Sequence, residues 1–494
     1  MNQRTWPVWF LSIAAGVLAT ALAWGVLGAM PHLEDEHANL FQAKVFASGR
    51  VTADEPPARP EAFSVPFIIH ANGRVFGKYT PGYPLLLALG AAIDQPWIIN
   101  ALAAALSVWG VYLLGRDLFD HSVGLLAAAL GAVSPMALML SGTLLAHTTT
   151  LTALVFFAWA FVRARRSDER RRSIFAVLAG LTLGWAVISR PWTAAAIGAG
   201  FVVIALNDLF NHPHRYGRGY MLMAGAALII VSIWPLYNWL ATGSPLTNTY
   251  TLWWPYDRVG FGPGYGRLDD GHTWDRALLN FKFDFPDLGV TLLGWPVALG
   301  VPLAWVAVLL GMLWPDHSRR DWALVVPPTL LVIAQLAYWA RGSGLNGPRY
   351  YAEGLPFLWL LAARGLIKLG ATPRLHRAPR RIVQLALPLL LAYSIVFTIA
   401  PRLLASADRY GGARRRLDQI AAAHLDNALV FVRATVWTDY ADLAWQNAPN
   451  VADSRVLFAL DYGPLSNQAL TQAFPQRQVY YYDRAQSIPL VAGR

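Results

Sequence analysis

The first residues that could do chemistry are Glu34, Asp35, Glu36 and His37, in PHLEDEHANLFQAKVFASGR at 31–50. They follow directly on an apolar run at 8–30. A carboxylate beside apolar lipid is costly unless it has a cation, a metal or a proton to handle. The ordinary alternative is a solvated acidic turn that ends the run. Beyond it, HANLFQAKVFASG carries apolar residues at helical spacing, which predicts a helix lying on the membrane surface. HANGRVFGKYTPGYP (70–84) comes next. Its Gly and Pro residues predict a turn, and Lys78 and Tyr79 stand where a short apolar helix starts. A Lys point charge at a helix start suits phosphate. The alternative is an interfacial anchor among aromatic neighbours.

SPMALMLSGTLLAHTTTL (134–151) carries His147 and Thr148 at an expected outer turn. A His at a helix start either caps and hydrogen-bonds or serves a site. Arg190 lies in ISRPW, and Arg341 and Arg349 lie in RGSGLNGPRYYAEGLP (341–356), with Tyr350 and Glu353 close behind. Arg at membrane depth is expensive unless it is paired. Its partner is either a carboxylate or a lipid-borne phosphate bound bidentately. For Arg349 the nearest carboxylate is Glu353, spaced i,i+4. The Gly-rich FGPGYG (261–266) follows no strand and opens no helix, so it reads as loop. No Walker A, Rossmann, Ser-His-Asp or HExxH pattern is present.

These groups need elements that hold them at one face. The chain of 494 residues is 55% apolar and only 14% charged, with mean hydropathy +0.37. Soluble domains carry about 25% charged residues. Too little charge is left for a water-exposed surface, which excludes a soluble enzyme, a disordered chain and a coiled coil. The absence of Cys excludes disulfide frameworks, cysteine-zinc and iron–sulfur sites and cysteine nucleophiles. Runs near the ~20 residues of a bilayer span occur at 8–30, 97–115, 122–140, 147–163, 174–190, 191–206, 219–241, 290–314, 322–340, 351–369 and 382–404. The expected fold class is a polytopic α-helical membrane protein with about eleven transmembrane helices and a small C-terminal α/β domain.

The net charge of +11, from 40 Lys+Arg against 29 Asp+Glu, is mostly topological. With the N-terminus cytoplasmic, Arg116, the cluster at 163–172, Arg215, Arg218, Arg319, Arg320 and the cluster at 368–381 all fall in inner loops. No nucleic-acid partner is implied. The expectation is an integral plasma (inner) membrane protein whose C-terminal domain is extracytoplasmic. The stretch 79–93 is apolar but short, and Pro81, Gly82 and Pro84 open it. It reads as an interfacial or re-entrant helix. Residues 1–404 then form a transmembrane module with outer segments 31–96 and 242–289, the second rich in Trp, Tyr, Gly and Asp. Residues 405–494 form a separate outer unit: strand (428–434), helix (440–448), strand (455–463), helix (464–474), strand (478–484), a βαβαβ pattern.

In this order the residues resemble the GT-C superfamily of membrane glycosyltransferases. Closest are bacterial relatives of the protein O-mannosyltransferases and of the aminoarabinose and galacturonosyl transferases. The family places an acidic Asp-Glu pair after the first helix, an amphipathic juxtamembrane helix ending in a small residue and Gly, and a Lys-x-Pro-Pro-like element opening a second juxtamembrane helix. Asp35-Glu36, FQAKVFASG and Lys78 to Pro84 resemble these. GPRYYAEGLP resembles a recurrent late-helix element. Two departures stand out: the Pro-Pro is loosened to Thr-Pro-Gly-Tyr-Pro, and His147 occupies a turn where many members carry Asp.

The resemblance implies a polyprenyl-phosphate-linked sugar donor, an acceptor glycan, lipid or protein, and inverting transfer on the outer face. Asp35 would act as general base, with Glu36 beside it in the catalytic pair. Lys78, Arg190 and Arg349 would bind the donor phosphate. Glu34, His37, Tyr79, His147, Tyr350 and Glu353 would support the site. No cofactor is firmly implied; a divalent ion held by Glu36 or His147 is the open option. Two other classes compete. A transporter or lipid flippase predicts mid-span charges and two related halves, and the sequence shows few such charges and no halves. A non-catalytic scaffold would bind a partner through its outer domain; the aromatic 242–289 segment suits either class, as a sugar-stacking platform or as an interfacial aromatic belt.

Overall fold

The computed structural model describes residues 5–313, 319–371, 378–407, 413–483, 485 and 490–492. Helix α1 (Trp6–Gly25) leads into α2 (Glu34–Ala47). A small antiparallel sheet follows, of β1 (Ala53–Asp54), β2 (Ile68–Ala71) and β3 (Arg74–Gly77), in the order β1-β3-β2. Asn72 and Gly73 join β2 to β3, both at positive φ; an Asn-Gly pair takes up that left-handed geometry readily in a two-residue hairpin. Then come α3 (Gly82–Ala91), α4 (Ile98–Leu118), α5 (His121–Ala132), α6 (Pro135–Ser141), α7 (His147–Arg166), α8 (Glu169–Ser189), α9 (Pro191–Asn211), α10 (Pro213–Val231) and α11 (Ile233–Thr242). After the short α12 (Thr249–Trp253) and a long loop, α13 (Trp274–Leu293) is separated by the hairpin β4 (Val297–Ala298) and β5 (Val301–Pro302) from α14 (Leu303–Leu313). Helices α15 (Arg319–Leu336), α16 (Leu355–Ala371), α17 (Ala378–Tyr393) and α18 (Ala400–Ala407) complete the helical part.

Among the described residues, six helical segments are long and apolar enough to cross a bilayer, or seven if α5 and α6, bent by 59°, form one span. The expected count of about eleven spans is not confirmed by these helices. The run 290–314 is not one helix: α13 ends at Gly294, in left-handed conformation, and a hairpin precedes the 11-residue α14. The run 322–340 ends at Leu336 and contains Pro327 and Pro328. Window hydropathy does not see the helix end at Gly294, because it averages across it. Helix α3 has 10 residues, about 15 Å at 1.5 Å each, half the ~30 Å hydrocarbon core.

Helix α16 is the axis of the main core. Phe357, Trp359, Leu360 and Leu361 are all essentially inaccessible, and α5, α14 and α15 pack around it. The outward faces differ. Trp6, Phe10, Ile13 and Val17 on α1, and Met221, Leu228 and Ile229 on α10, are exposed. Large apolar side chains gathered on an outer surface suit lipid as solvent.

The C-terminal part contains α19 (Ala413–Ala422), β6 (Ala428–Val432), α20 (Trp437–Ala444), β7 (Val456–Leu460), α21 (Pro464–Ala473), β8 (Gln478–Tyr482) and β9 (Leu490–Ala492). Its sheet has the order β7-β6-β8-β9, parallel except for β9. β6 is central and wholly buried, as expected of a parallel strand covered on both faces. The sheet and α20 share one apolar cluster with α2 and the β1–β3 sheet, through Ala38, Val45, Ile68, Val430 and Tyr440. Helix α20 meets α2 at two points. The Trp437 ring packs edge-on against His37, 5.8 Å between centroids, and Lys44 donates to the Trp445 carbonyl at 2.5 Å.

Candidate active site

Asp35 lies in the first turn of α2, with Glu34 and Glu36. Three carboxylates there complement the helix dipole. No side chain caps α2 at Leu33, but Glu36 reaches back and accepts from the His32 N–H at 3.0 Å. Glu36 is thus buried at the helix start, while Glu34 and Asp35 line a cavity of about 1130 Å³.

The β2–β3 hairpin packs directly on α2. A Cβ at Gly77 would stand 3.0 Å from the Ala38 carbonyl oxygen, and the Gly77 N–H donates to Gln42 Oε1 at 2.9 Å. This close approach brings Tyr79 to Asp35, and the Tyr79 hydroxyl donates to Asp35 Oδ1. At Gly82 the start of α3 presses on the end of α8, where any Cβ would collide with Ile188 and Ser189. Thr80 Oγ1 donates to the Ser189 carbonyl at 3.2 Å. Arg190, the next residue, is thereby held at the same cavity wall.

Arg349 comes from the 3-10 turn Arg349–Gly354 that precedes α16. Its Nη2 lies 2.8 Å from Asp35 Oδ2. The i,i+4 pair Arg349–Glu353 does not form, because a 3-10 turn does not align those positions as an α-helix would. Glu353 is fully buried and faces the other way. Its Oε1 accepts from His147 Nδ1 at 3.1 Å and lies 3.0 Å from Arg190 Nε. Tyr350 separates the two clusters: its ring lies 5.5 Å from the Arg349 guanidinium, 5.6 Å from that of Arg190 and 6.3 Å from the His147 ring.

Lys78 is also engaged. Its Nζ lies 2.6 Å from Asp257 Oδ2, with both side chains at 3% exposure or less. Four rings face the ammonium: Phe67 at 4.2 Å, Trp254 at 4.5 Å, Tyr250 at 5.3 Å and Tyr79 at 5.8 Å. Asp257 Oδ1 accepts from the Tyr338 hydroxyl at 2.9 Å and from Trp339 Nε1 at 3.1 Å. This buried pair ties the 31–96 segment to the 242–289 segment and to the end of α15. Lys78 is not a solvent-facing interfacial anchor.

Burial pulls the Lys78 ammonium below its usual pKa, and Asp257 opposes this only in part. Burial acts against the Arg349 charge as well, but Asp35, Tyr350, Tyr79 and Glu36 together outweigh it and leave the guanidinium more basic than usual. Burial, then the Asp35 carboxylate, push the Tyr79 phenol well above its ordinary value. Tyr79 therefore remains a donor toward Asp35 at neutral pH.

The expected residues divide cleanly. Glu34, Asp35, Lys78, Tyr79, His147, Arg190, Arg349 and Tyr350 line one cavity. Glu353 lies just behind it, bonded to His147. Glu36 and His37 are not among the lining residues. His37 faces a separate cleft between α2 and α20, where burial, then the His32 and Lys44 charges, lower its pKa to about 3. Among the described residues no three His, Asp or Glu side chains converge as metal ligands. The sequence reading missed Asp257, Arg258 and Arg267, which also line the cavity. Arg258 and Arg267 form no ion pair among the described residues, and Arg267 stands 4.6 Å over Trp254. The signal was in WWPYDRVGFGPGYGR (253–267): one acid and two guanidiniums inside an aromatic run.

Residues 78–239 match the family model described as dolichyl-phosphate-mannose-protein mannosyltransferase. No curated protein sequence matches the chain. Among solved structures, ArnT from Cupriavidus metallidurans bound to undecaprenyl phosphate aligns with TM-score 0.60 and 13% identity, covering 95% of this chain and 93% of that one. Its apo form aligns with TM-score 0.58 and 14% identity over the same shares. The chain is thus similar to this mannosyltransferase family over residues 78–239 and resembles ArnT in its helical fold.

Proposed function

We propose that this chain is an integral membrane glycosyltransferase. It moves a sugar from a polyprenyl-phosphate donor to an acceptor hydroxyl on the extracytoplasmic face, with Asp35 as general base. The observation that carries this reading is the Asp35–Arg349 pair at the wall of a large cavity lined by both charged and apolar side chains. Arg190, Arg258, Arg267 and Arg349 supply charge, while Trp192, Trp234 and Leu246 supply apolar wall. An amphiphile with a phosphate head and an isoprenoid tail needs both. Supporting this, ArnT, with the same fold, has been crystallised with undecaprenyl phosphate.

The acceptor oxygen attacks the anomeric carbon from the face opposite the phosphate. Its proton passes to Asp35, the carbon–phosphate-oxygen bond breaks, and the lipid phosphate leaves with the bonding pair. The configuration inverts. In the resting site Arg349 pairs with Asp35. A bound donor phosphate competes for Arg349 and draws it from that ion pair, freeing Asp35 for the acceptor hydroxyl. Arg349, Arg190 and Arg267 offset the charge that builds on the departing phosphate. Lys78 acts mainly through Asp257, clasping the 242–289 segment over the cavity.

The test is transfer from radiolabelled sugars on polyprenyl phosphate by wild type and Asp35→Asn protein. Label leaving the lipid with wild type alone supports the reading, and the labelled product names the acceptor class. Equal transfer by both proteins removes Asp35 as the base.

A further inference from the structure

His147 has one nitrogen fixed and one free. Nδ1 faces Glu353 Oε1 at 3.1 Å. Glu353 is fully buried and shares that oxygen with Arg190 Nε at 3.0 Å. A carboxylate neutralised by a guanidinium is ionised, so it only accepts hydrogen bonds. Nδ1 must therefore carry the proton, and a neutral His147 presents a bare lone pair at Nε2. That nitrogen makes no hydrogen bond among the described residues, and His147 lines the large cavity. The ring itself is locked, 2% exposed and stacked near Tyr350.

A bare lone pair selects its ligand. It repels a phosphate oxygen, which also only accepts, and it binds a hydroxyl or an amine. The cavity also carries guanidiniums, which only donate, and His147 adds a neutral acceptor to the carboxylates Glu34, Asp35 and Asp257 there. The Tyr350 ring is near both, 6.3 Å from the His147 ring and 5.5 Å from the Arg349 guanidinium that pairs with Asp35. From these relations we propose that His147 Nε2 reads a hydroxyl or amine of the transferred sugar, and that Glu353 is the positioning residue that keeps this nitrogen an acceptor. The inference rests on the glycosyltransferase reading above.

The test is a substrate-by-variant cycle. The probes are polyprenyl-phosphate sugars, each with one hydroxyl or amine replaced by hydrogen, built on whichever sugar the wild type transfers. At one position, removal should cost wild type about 10- to 100-fold in kcat/KM. The same removal should cost His147→Ala less than about 3-fold, because the partner is already gone. His147→Gln keeps an acceptor oxygen and should recover part of the discrimination. Glu353→Gln can donate to Nδ1 and turn Nε2 into a donor, and it should lose the discrimination. Penalties that multiply independently at every sugar position, in both Ala and Gln variants, would overturn the inference and leave the transferase reading standing. Failure of well-folded wild type to transfer from any unmodified donor would overturn both.

Discussion

Arg349 Nη2 lies 2.8 Å from Asp35 Oδ2, across a sequence separation of 314 residues. The pair joins the first turn of α2 to the turn before α16. It also makes the expected base and an expected phosphate ligand partners of each other in the resting site. The first prediction follows from that double role. Asp35→Asn keeps one oxygen, which can accept from Tyr79 or from Arg349 in place of the two carboxylate oxygens, and cannot take a proton. Its kcat should fall by about 10²- to 10⁴-fold, with the fold retained. Steady-state transfer and a thermal melt decide it; near-normal turnover would sink the base assignment.

Arg349→Lys and Arg349→Ala should separate charge from geometry. Lysine keeps a point charge but loses the planar fork, so it should raise the donor KM less than alanine does. A purely structural Arg349 would instead lower stability in both variants and leave the donor KM unchanged.

The Lys78–Asp257 pair is buried, and a buried pair broken on one side is costly. Lys78→Met should destabilise the protein by about 3–5 kcal/mol, because Asp257 is left uncompensated. Adding Asp257→Asn should recover much of that loss. If Lys78 served chiefly as a free phosphate ligand, Lys78→Met would cost donor affinity with little stability, and Asp257→Asn would rescue nothing. Denaturation of purified protein in detergent, compared with donor titration, distinguishes these.

His37 gives a pH-dependent prediction. Its folded pKa is lowered from the ordinary 6.5 to about 3. Between those values the unfolded chain binds a proton that the folded one excludes, so stability falls as pH drops below 6.5. At pH 5 the loss amounts to about 2 kcal/mol. His37→Phe keeps a ring against Trp437 and cannot titrate. Its melting temperature should fall less than that of wild type between pH 7 and pH 5. Parallel curves for the two proteins would remove His37 as a source of the acid sensitivity.

Much of the site was legible as composition and position. Asp35, Lys78, Arg190 and Arg349 are charges at the ends of apolar runs, and such charges need a reason wherever they occur. The hairpin before Lys78 could be read from Asn72-Gly73, since few residue pairs accept that backbone. The strands at 428–432, 456–460 and 478–482 fall inside the runs where β-branched and aromatic residues gather. These are local properties, set by a few neighbouring side chains and the solvent they prefer.

The helix end at Gly294 was less visible, because a hydropathy window averages across it. The pairings were not visible at all. Glu353 was the obvious partner of Arg349 by spacing, yet it turns to His147 and Arg190. Lys78 found Asp257, from a segment whose role could not be read from its aromatic content. By itself the sequence determined which residues are costly to bury and which face they must share. Only the tertiary structure decided who neutralises whom, because in a low-dielectric interior a charge is held by whatever opposite charge the packing brings within about 3 Å, and nothing in the linear order records that distance.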